Sequence, residues 1–130
     1  MKKKIKIGID IHGVADTIPE MFRILNESDI EIHIITGGSI TKKFKDYITN
    51  LGIRYDYLFS ITDSLIDNGE NVRWEDSENP WFDALAWDSA KAKYCEEHNI
   101  DLMFDDTERY AKYFTNKENK TKFILLKKLN

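Results

Sequence analysis

Apolar and polar positions change period several times along this chain, and the changes mark its elements. Residues 3–10 place Ile5, Ile7 and Ile9 in alternation and read as a buried first strand that ends in Asp10. Pro19 stands where a helix starts, with Met21, Phe22 and Leu25 on the apolar face. Residues 31–35 read as a second strand, closed by Thr36-Gly37. Ile40, Phe44, Tyr47, Ile48 and Leu51 recur at helical spacing, and Gly52 stops that helix. Residues 57–61 form a third strand. Residues 62–83 are polar, acidic and tryptophan-rich, with no long period. A helix over 84–98, a fourth strand over 100–104, a helical stretch over 107–115 and a fifth strand over 122–126 complete the pattern. No internal repeat, low-complexity tract or second domain interrupts it.

Strands alternating with helices predict an α/β fold, a parallel sheet covered by helices on both faces. In such sheets ligands bind beyond the carboxyl ends of the strands, where the strand order reverses. Asp10, Thr36, and Asp105 with Asp106 all fall at predicted carboxyl ends. Carboxylates gathered along one sheet edge repel each other, and a bound divalent cation removes that repulsion.

Composition narrows the setting. The 130 residues are enough for one domain with one core, and a hydrophobic share of 42% favours folding over disorder. A net charge of −4 gives no default case for nucleic acid or an anionic membrane as partner. The basic start Met1-Lys2-Lys3-Lys4 precedes an alternating strand, so it does not read as a signal peptide, and no segment is long enough to span a bilayer. A single cysteine, Cys95, cannot close an internal disulfide, which fits a reducing, cytoplasmic setting.

Four elements, in order, resemble the motifs of the haloacid dehalogenase-like superfamily of hydrolases. Ile9-Asp10-Ile11-His12-Gly13-Val14 resembles the first, a strand end usually reading Asp-x-Asp-Gly-(Thr/Val). Ile34-Ile35-Thr36-Gly37 resembles the second, Lys91 the third, and Phe104-Asp105-Asp106 the fourth. The resemblance spans residues 5–106. It implies a three-layer Rossmann-like fold with strand order 5-4-1-2-3, which sets Asp10 beside Asp105. It also implies Mg²⁺-dependent phosphomonoester hydrolysis through an aspartyl-phosphate. In that scheme Asp10 is nucleophile and metal ligand. Asp105 and Asp106 hold the metal, and Thr36, Gly37 and Lys91 hold phosphate. The chemistry asks for the same residue types: a carboxylate can attack phosphorus only once the phosphate charge is neutralised.

The chain departs from the pattern at position 12, where the second aspartate is replaced by His12. Imidazole titrates near neutrality, so it can protonate a leaving oxygen and later activate water. Between the two lysines of the 84–98 helix, spacing chooses Lys91. At 100° per residue Trp87, Lys91, Tyr94, Cys95 and His98 share one inward face, and Lys93 lies opposite. An inward lysine needs partners, and Asp10 with Asp105 and Asp106 are the natural ones.

Several positions keep two readings. Asp106 is a metal ligand or the N-cap of the 107–115 helix. Thr36-Gly37-Gly38 is a phosphate-binding turn or a plain turn before a helix at Ser39. Residues 62–83 are a solvated excursion whose aromatics pack on the domain, or a small cap-like insert over an almost open site. Cys95 with His98, and His33, read as packing residues. The expected function is a nearly capless, Mg²⁺-dependent phosphatase acting on a small phosphorylated substrate, possible nucleotides included, with oligomers able to close the site. The alternatives are a catalytically impaired relative that binds phosphate or a partner protein, and a receiver-like domain. The second fits poorly because the acidic pair follows the fourth strand rather than the first.

Overall fold

The computed structural model describes residues 3–76 and 79–127. In chain order the elements are β1 (Lys6–Ile9), α1 (Pro19–Arg23), β2 (Glu31–Thr36), α2 (Lys42–Leu51), β3 (Tyr57–Ser60), α3 (Ile61–Asp67), β4 (Arg73–Asp76), β5 (Asn79–Trp81), α4 (Ala84–Glu97), β6 (Leu102–Asp105) and β7 (Lys122–Leu125). Short 3₁₀ turns occupy Ile24–Glu27 and Glu108–Phe114.

Five strands form one sheet in the order β3-β2-β1-β6-β7, and every pairing in it is parallel. The central strands β1 and β2 are buried at nearly every position, as expected for a parallel sheet covered on both faces. Ile7 and Ile9 of β1 and Ile32 and Ile34 of β2 pack with Phe22 of α1 and Ile48 of α2 on one face. Ile35 and Met103 pack with Ala92, Tyr94 and Cys95 of α4, and with Tyr110 and Phe114, on the other. Successive residues of one strand therefore serve opposite layers. Gly8 fits the same logic: an added Cβ would meet the tips of Ile35 and Met103 at 2.6 and 2.7 Å.

The chain leaves β1 toward β2 and β3 on one side, then returns to lay β6 and β7 on the other. The order reverses between β1 and β6, and Ile9 sits in register with both Ile34 and Phe104. That opens a crevice beyond the carboxyl ends of these strands.

The structure revises several expected elements. The first strand covers Lys6–Ile9 rather than residues 3–10. The helix foreseen at Ser39 begins at Lys42, because the Thr41 side chain accepts the Phe44 N–H as its N-cap. Gly52 does end it, in the left-handed conformation at φ 75°. The helical stretch expected over 107–115 is present as a 3₁₀ helix over Glu108–Phe114. Residues 62–83 hold more order than their composition suggests: α3 is followed by the antiparallel hairpin β4–β5, which stands outside the main sheet. An order of 5-4-1-2-3 counts strands of one sheet alone, and these two extra strands shift the chain numbering. His98 is exposed at the end of α4, although its ring lies 4.1 Å from that of Tyr94. His33 is buried and bonded through Nδ1 to the Tyr94 hydroxyl at 2.6 Å and through Nε2 to Glu31 at 2.8 Å. Among the described residues no helix is long and apolar enough to cross a membrane.

The approach to β2 is pinned by Arg54. Its Nε donates to Asn26 O at 2.8 Å and its Nη2 to Ile30 O at 2.9 Å, while Nη1 forks onto Asp56 at 2.9 and 3.0 Å. Asp56 in turn accepts the Ile32 N–H at 2.8 Å. A lysine cannot span this fork. Arg54→Lys is expected to lower stability by about 1–3 kcal/mol, read from the urea midpoint; an unchanged midpoint would show that the network contributes nothing.

Candidate functional site

Asp10 follows β1 in extended conformation, φ −74° and ψ 152°, and its N–H donates to Phe104 O at 3.0 Å. That bond continues the β1–β6 ladder and brings the first carboxylate alongside Asp105, the last residue of β6. The chain then turns through residues 11–15, with Gly13 at φ 83°. A Cβ on Gly13 would collide with the Asp106 carboxylate. Glycine is thus required here twice, for its dihedral and for the close approach of an acidic group.

Lys91 reaches this edge from the middle of α4. Its ammonium is 2.8 Å from Asp105 Oδ2 and 3.3 Å from Asp10 Oδ1, and its side chain is 4% exposed. The opposite oxygen of Asp105, Oδ1, accepts the Thr107 N–H at 3.0 Å. The face chosen from helical periodicity is the observed one: Lys93 is exposed. Carboxylate oxygens of Asp10, Asp105 and Asp106 lie within 4.8 Å of one another, so these three could hold a metal ion. Hard oxygen donors of this kind suit Mg²⁺, Ca²⁺ or Mn²⁺ rather than thiophilic ions.

Electrostatics follow from the burial. Burial pushes the Asp10 carboxyl up to about 6; Lys91 pulls it down, and Asp105 and Asp106 add to the rise. Burial alone would lower the Lys91 ammonium, but Asp10 and Asp105 more than offset it and hold Lys91 above the usual lysine range. The site is therefore a cation held among acids with negative charge in excess.

His12 belongs to a different set of contacts. Its side chain is 69% exposed, and Nδ1 lies 3.2 Å from Asp16 Oδ2. The Gly13 N–H donates to Asp16 Oδ1 at 2.9 Å, and the Tyr47 hydroxyl donates to Oδ2 at 3.0 Å. The His12 and Tyr47 rings stand 5.5 Å apart. Burial acts to raise Asp16, but these donors outweigh it and hold the carboxyl below its ordinary value.

Thr36 and Gly37 end β2, next to β1 at the same sheet edge. Thr36 is buried and in register with Ser60. The Gly37 carbonyl accepts from both the N–H and the hydroxyl of Thr62, at 3.1 and 2.7 Å, and Asp63 Oδ2 accepts the Ile40 N–H at 2.9 Å. The start of α3 thereby holds the loop that follows β2. Asp106 is exposed and does not cap the next turn, whose N-cap is Thr107.

The structure thus brings Asp10, Lys91, Asp105 and Asp106 into one cluster, sets Thr36 and Gly37 on the adjoining strand end, and turns His12 toward Asp16. Asp16, Tyr47 and Thr62 were not singled out from sequence. The spacing of His12 and Asp16 at i, i+4 was the available signal; Tyr47 and Thr62 arrive from distant segments and left none. No protein-family model matches the chain, and no curated protein matches it significantly.

A carboxyl raised from 3.8 to about 6 favours the folded state while it is protonated, so the stability Asp10 contributes is full at low pH and is lost as pH rises through about 6. In protein stripped of divalent cations, Asp10→Asn is expected to gain on wild type across that window, by on the order of 2–3 kcal/mol near pH 7. Urea unfolding at a series of pH values checks this; a pH-independent difference would contradict the assigned environment.

Proposed function

We propose that this protein is a phosphomonoesterase of the haloacid dehalogenase-like type, working with Mg²⁺ through phosphorylation of Asp10. The observation that carries the reading is the buried Lys91 ammonium set between Asp10 and Asp105, with three carboxylates within 4.8 Å. The strand order adds support: with the β4–β5 hairpin left out of the count, β3-β2-β1-β6-β7 becomes 3-2-1-4-5, the implied order read from the other edge. Motif order along the chain adds more, since a strand-end Asp, a strand-end Thr-Gly, a helix lysine and a strand-end acidic pair occur in sequence.

Asp10, Asp105 and Asp106 would hold the cation, which when bound neutralises phosphate charge and fixes in-line geometry. An Asp10 oxygen attacks phosphorus and the ester bond to the leaving oxygen breaks. His12 donates a proton to that oxygen. Water then attacks the phosphorus of the aspartyl-phosphate, His12 takes its proton, and Asp10 and inorganic phosphate are regenerated. Thr36 through its hydroxyl, Gly37 through its N–H and Lys91 through its charge hold the phosphate oxygens. Asp16 keeps the His12 ring in place at 3.2 Å. The hairpin insert serves as a small cap, the substrate is a small phosphorylated molecule, with a nucleotide among the candidates, and the single buried cysteine suits a cytoplasmic setting.

A second reading, a phosphate or partner binder without turnover, is favoured by one observation: the residue at position 12 is an exposed histidine tied to Asp16. A panel of phosphate esters assayed with Mg²⁺ separates the two. Turnover is expected, abolished by chelation and reduced about 10³-fold or more in Asp10→Asn. Silence across the panel while the metal still binds would establish the binder instead.

His12 has its own test. His12→Ala should reduce turnover of an alkyl phosphate by about 10²-fold, and that of nitrophenyl phosphate far less, because a good leaving group needs no proton. Equal losses on both would remove His12 from the acid/base role.

A further inference from the structure

We propose that the cleft between the β4–β5 hairpin and α4 seats the leaving group of the substrate, and that this group is a planar aromatic ring. The inference rests on the phosphomonoesterase reading and adds the substrate class to it.

The cleft encloses about 490 Å³ and is lined by Thr62, Trp81, Phe82, Trp87, Asp88 and Arg109 among others. That volume falls within the range of about 300–1,000 Å³ typical of small-molecule sites. Its walls are aromatic. The Phe82 and Trp87 rings stack with centroids 5.7 Å apart and planes 18° from parallel. Trp81, at the end of β5, lines the cleft and is 53% exposed.

Contacts tie this cleft to the phosphate site. The Trp87 indole N–H donates to the Tyr110 hydroxyl at 2.9 Å, which fixes the ring. The Tyr110 ring in turn lies 5.4 Å from the Lys91 ammonium. The benzo edge of Trp87, beside its N–H, abuts Gly37, where an added Cβ would sit 3.0 Å from the indole. Gly38, the next residue, lines the cleft itself. Trp87 also precedes Lys91 by one helical turn, so cleft and ammonium lie along the same face of α4. An ester whose phosphate meets Lys91 and Thr36-Gly37 therefore extends past Trp87 into the aromatic hollow.

The polar groups of the hollow suit a flat heteroaromatic or aryl ring better than a flexible polyol. Arg109 is already occupied: its Nε is 3.0 Å from Asp88 and its guanidinium lies 5.0 Å from the Tyr110 ring centre. Besides the Glu75 carboxylate, the hollow offers ring face, and aromatic stacking accepts any ring with a π-face.

The test compares kcat/KM for phenyl phosphate, adenosine 5′-monophosphate and glycerol 3-phosphate in wild type, Trp81→Ala and Trp74→Ala. Trp74 is also exposed on the hairpin, at 46%, but does not line the cleft, so it controls for damage to the insert. In Trp81→Ala the ratio of aromatic to aliphatic kcat/KM should fall about tenfold, and in Trp74→Ala it should hold. In parallel, Asp10→Asn protein with Mg²⁺ is titrated with both aromatic esters and with glycerol 3-phosphate while tryptophan fluorescence is read. Saturable quenching by an aromatic ester, absent with glycerol 3-phosphate and lost on adding Trp81→Ala, supports the proposal; a response to adenosine 5′-monophosphate alone narrows the ring to a nucleobase. An unchanged ratio in Trp81→Ala, or turnover without quenching, overturns the cleft and leaves the phosphomonoesterase. Quenching that depends on Trp81 without turnover of any ester overturns the enzyme and leaves the cleft.

Discussion

One buried positive charge organises this molecule. The Lys91 ammonium sits 2.8 Å from Asp105 and 3.3 Å from Asp10, out of water and between two strands of the sheet. Removing an ammonium and carboxylates from solvent costs several kcal/mol per ion, and good geometry only partly offsets it. A hydrophobic trio would hold α4 on the sheet with less risk. The arrangement also leaves charge unbalanced: three carboxylates against one ammonium give a net of two negative charges when all are ionised. Burial raises Asp10 to about 6, and the neighbouring Asp105 and Asp106 add to the rise against the pull of Lys91. A divalent cation has the charge that would close the balance.

The parallel sheet is what makes this grouping possible. Parallel strands point their carboxyl ends the same way, so residues that end strands converge on one edge whatever their separation in sequence. The ladder bond from Asp10 N–H to Phe104 O draws the ends of β1 and β6 together. Helix α4 crosses that face and delivers Lys91 from the opposite layer, while Ala92 and Cys95 on the same helix fill the core. Gly13 completes the edge, since any side chain there would displace Asp106. An acidic cluster, a buried lysine and a tight turn are thus consequences of one strand order.

The segment between β3 and α4 borders the site edge. Its first part, α3, fastens the loop after β2 through Thr62 and Asp63, so that backbone is held from outside the main sheet. Its second part, the hairpin, supplies Trp81 and brings Phe82 onto Trp87. This insert has a buried and an exposed part: Ile61 and Leu65 are buried against Ala90, whereas Trp74 and Trp81 are exposed.

Periodicity alone determined the alternation of strands and helices, the inward side of α4 and the strand-end positions of Asp10, Thr36 and Asp105, because these depend on local hydrophobic spacing that a chain carries with it. It marked Gly52 as a helix stop and Lys91 rather than Lys93 as the buried lysine for the same reason. It assigned no elements within residues 62–83, where a short helix and a three-residue strand are too brief to impose a period. The meeting of Asp10 with Asp105 was expected from the resemblance; only the tertiary structure decided that Asp16 and Tyr47 engage His12, and that Trp81 lines a cleft with Gly38 and Trp87. Those are facts of strand pairing and of layer packing. Long-range contacts of this kind are set by the whole chain closing on one core, and no local window contains them.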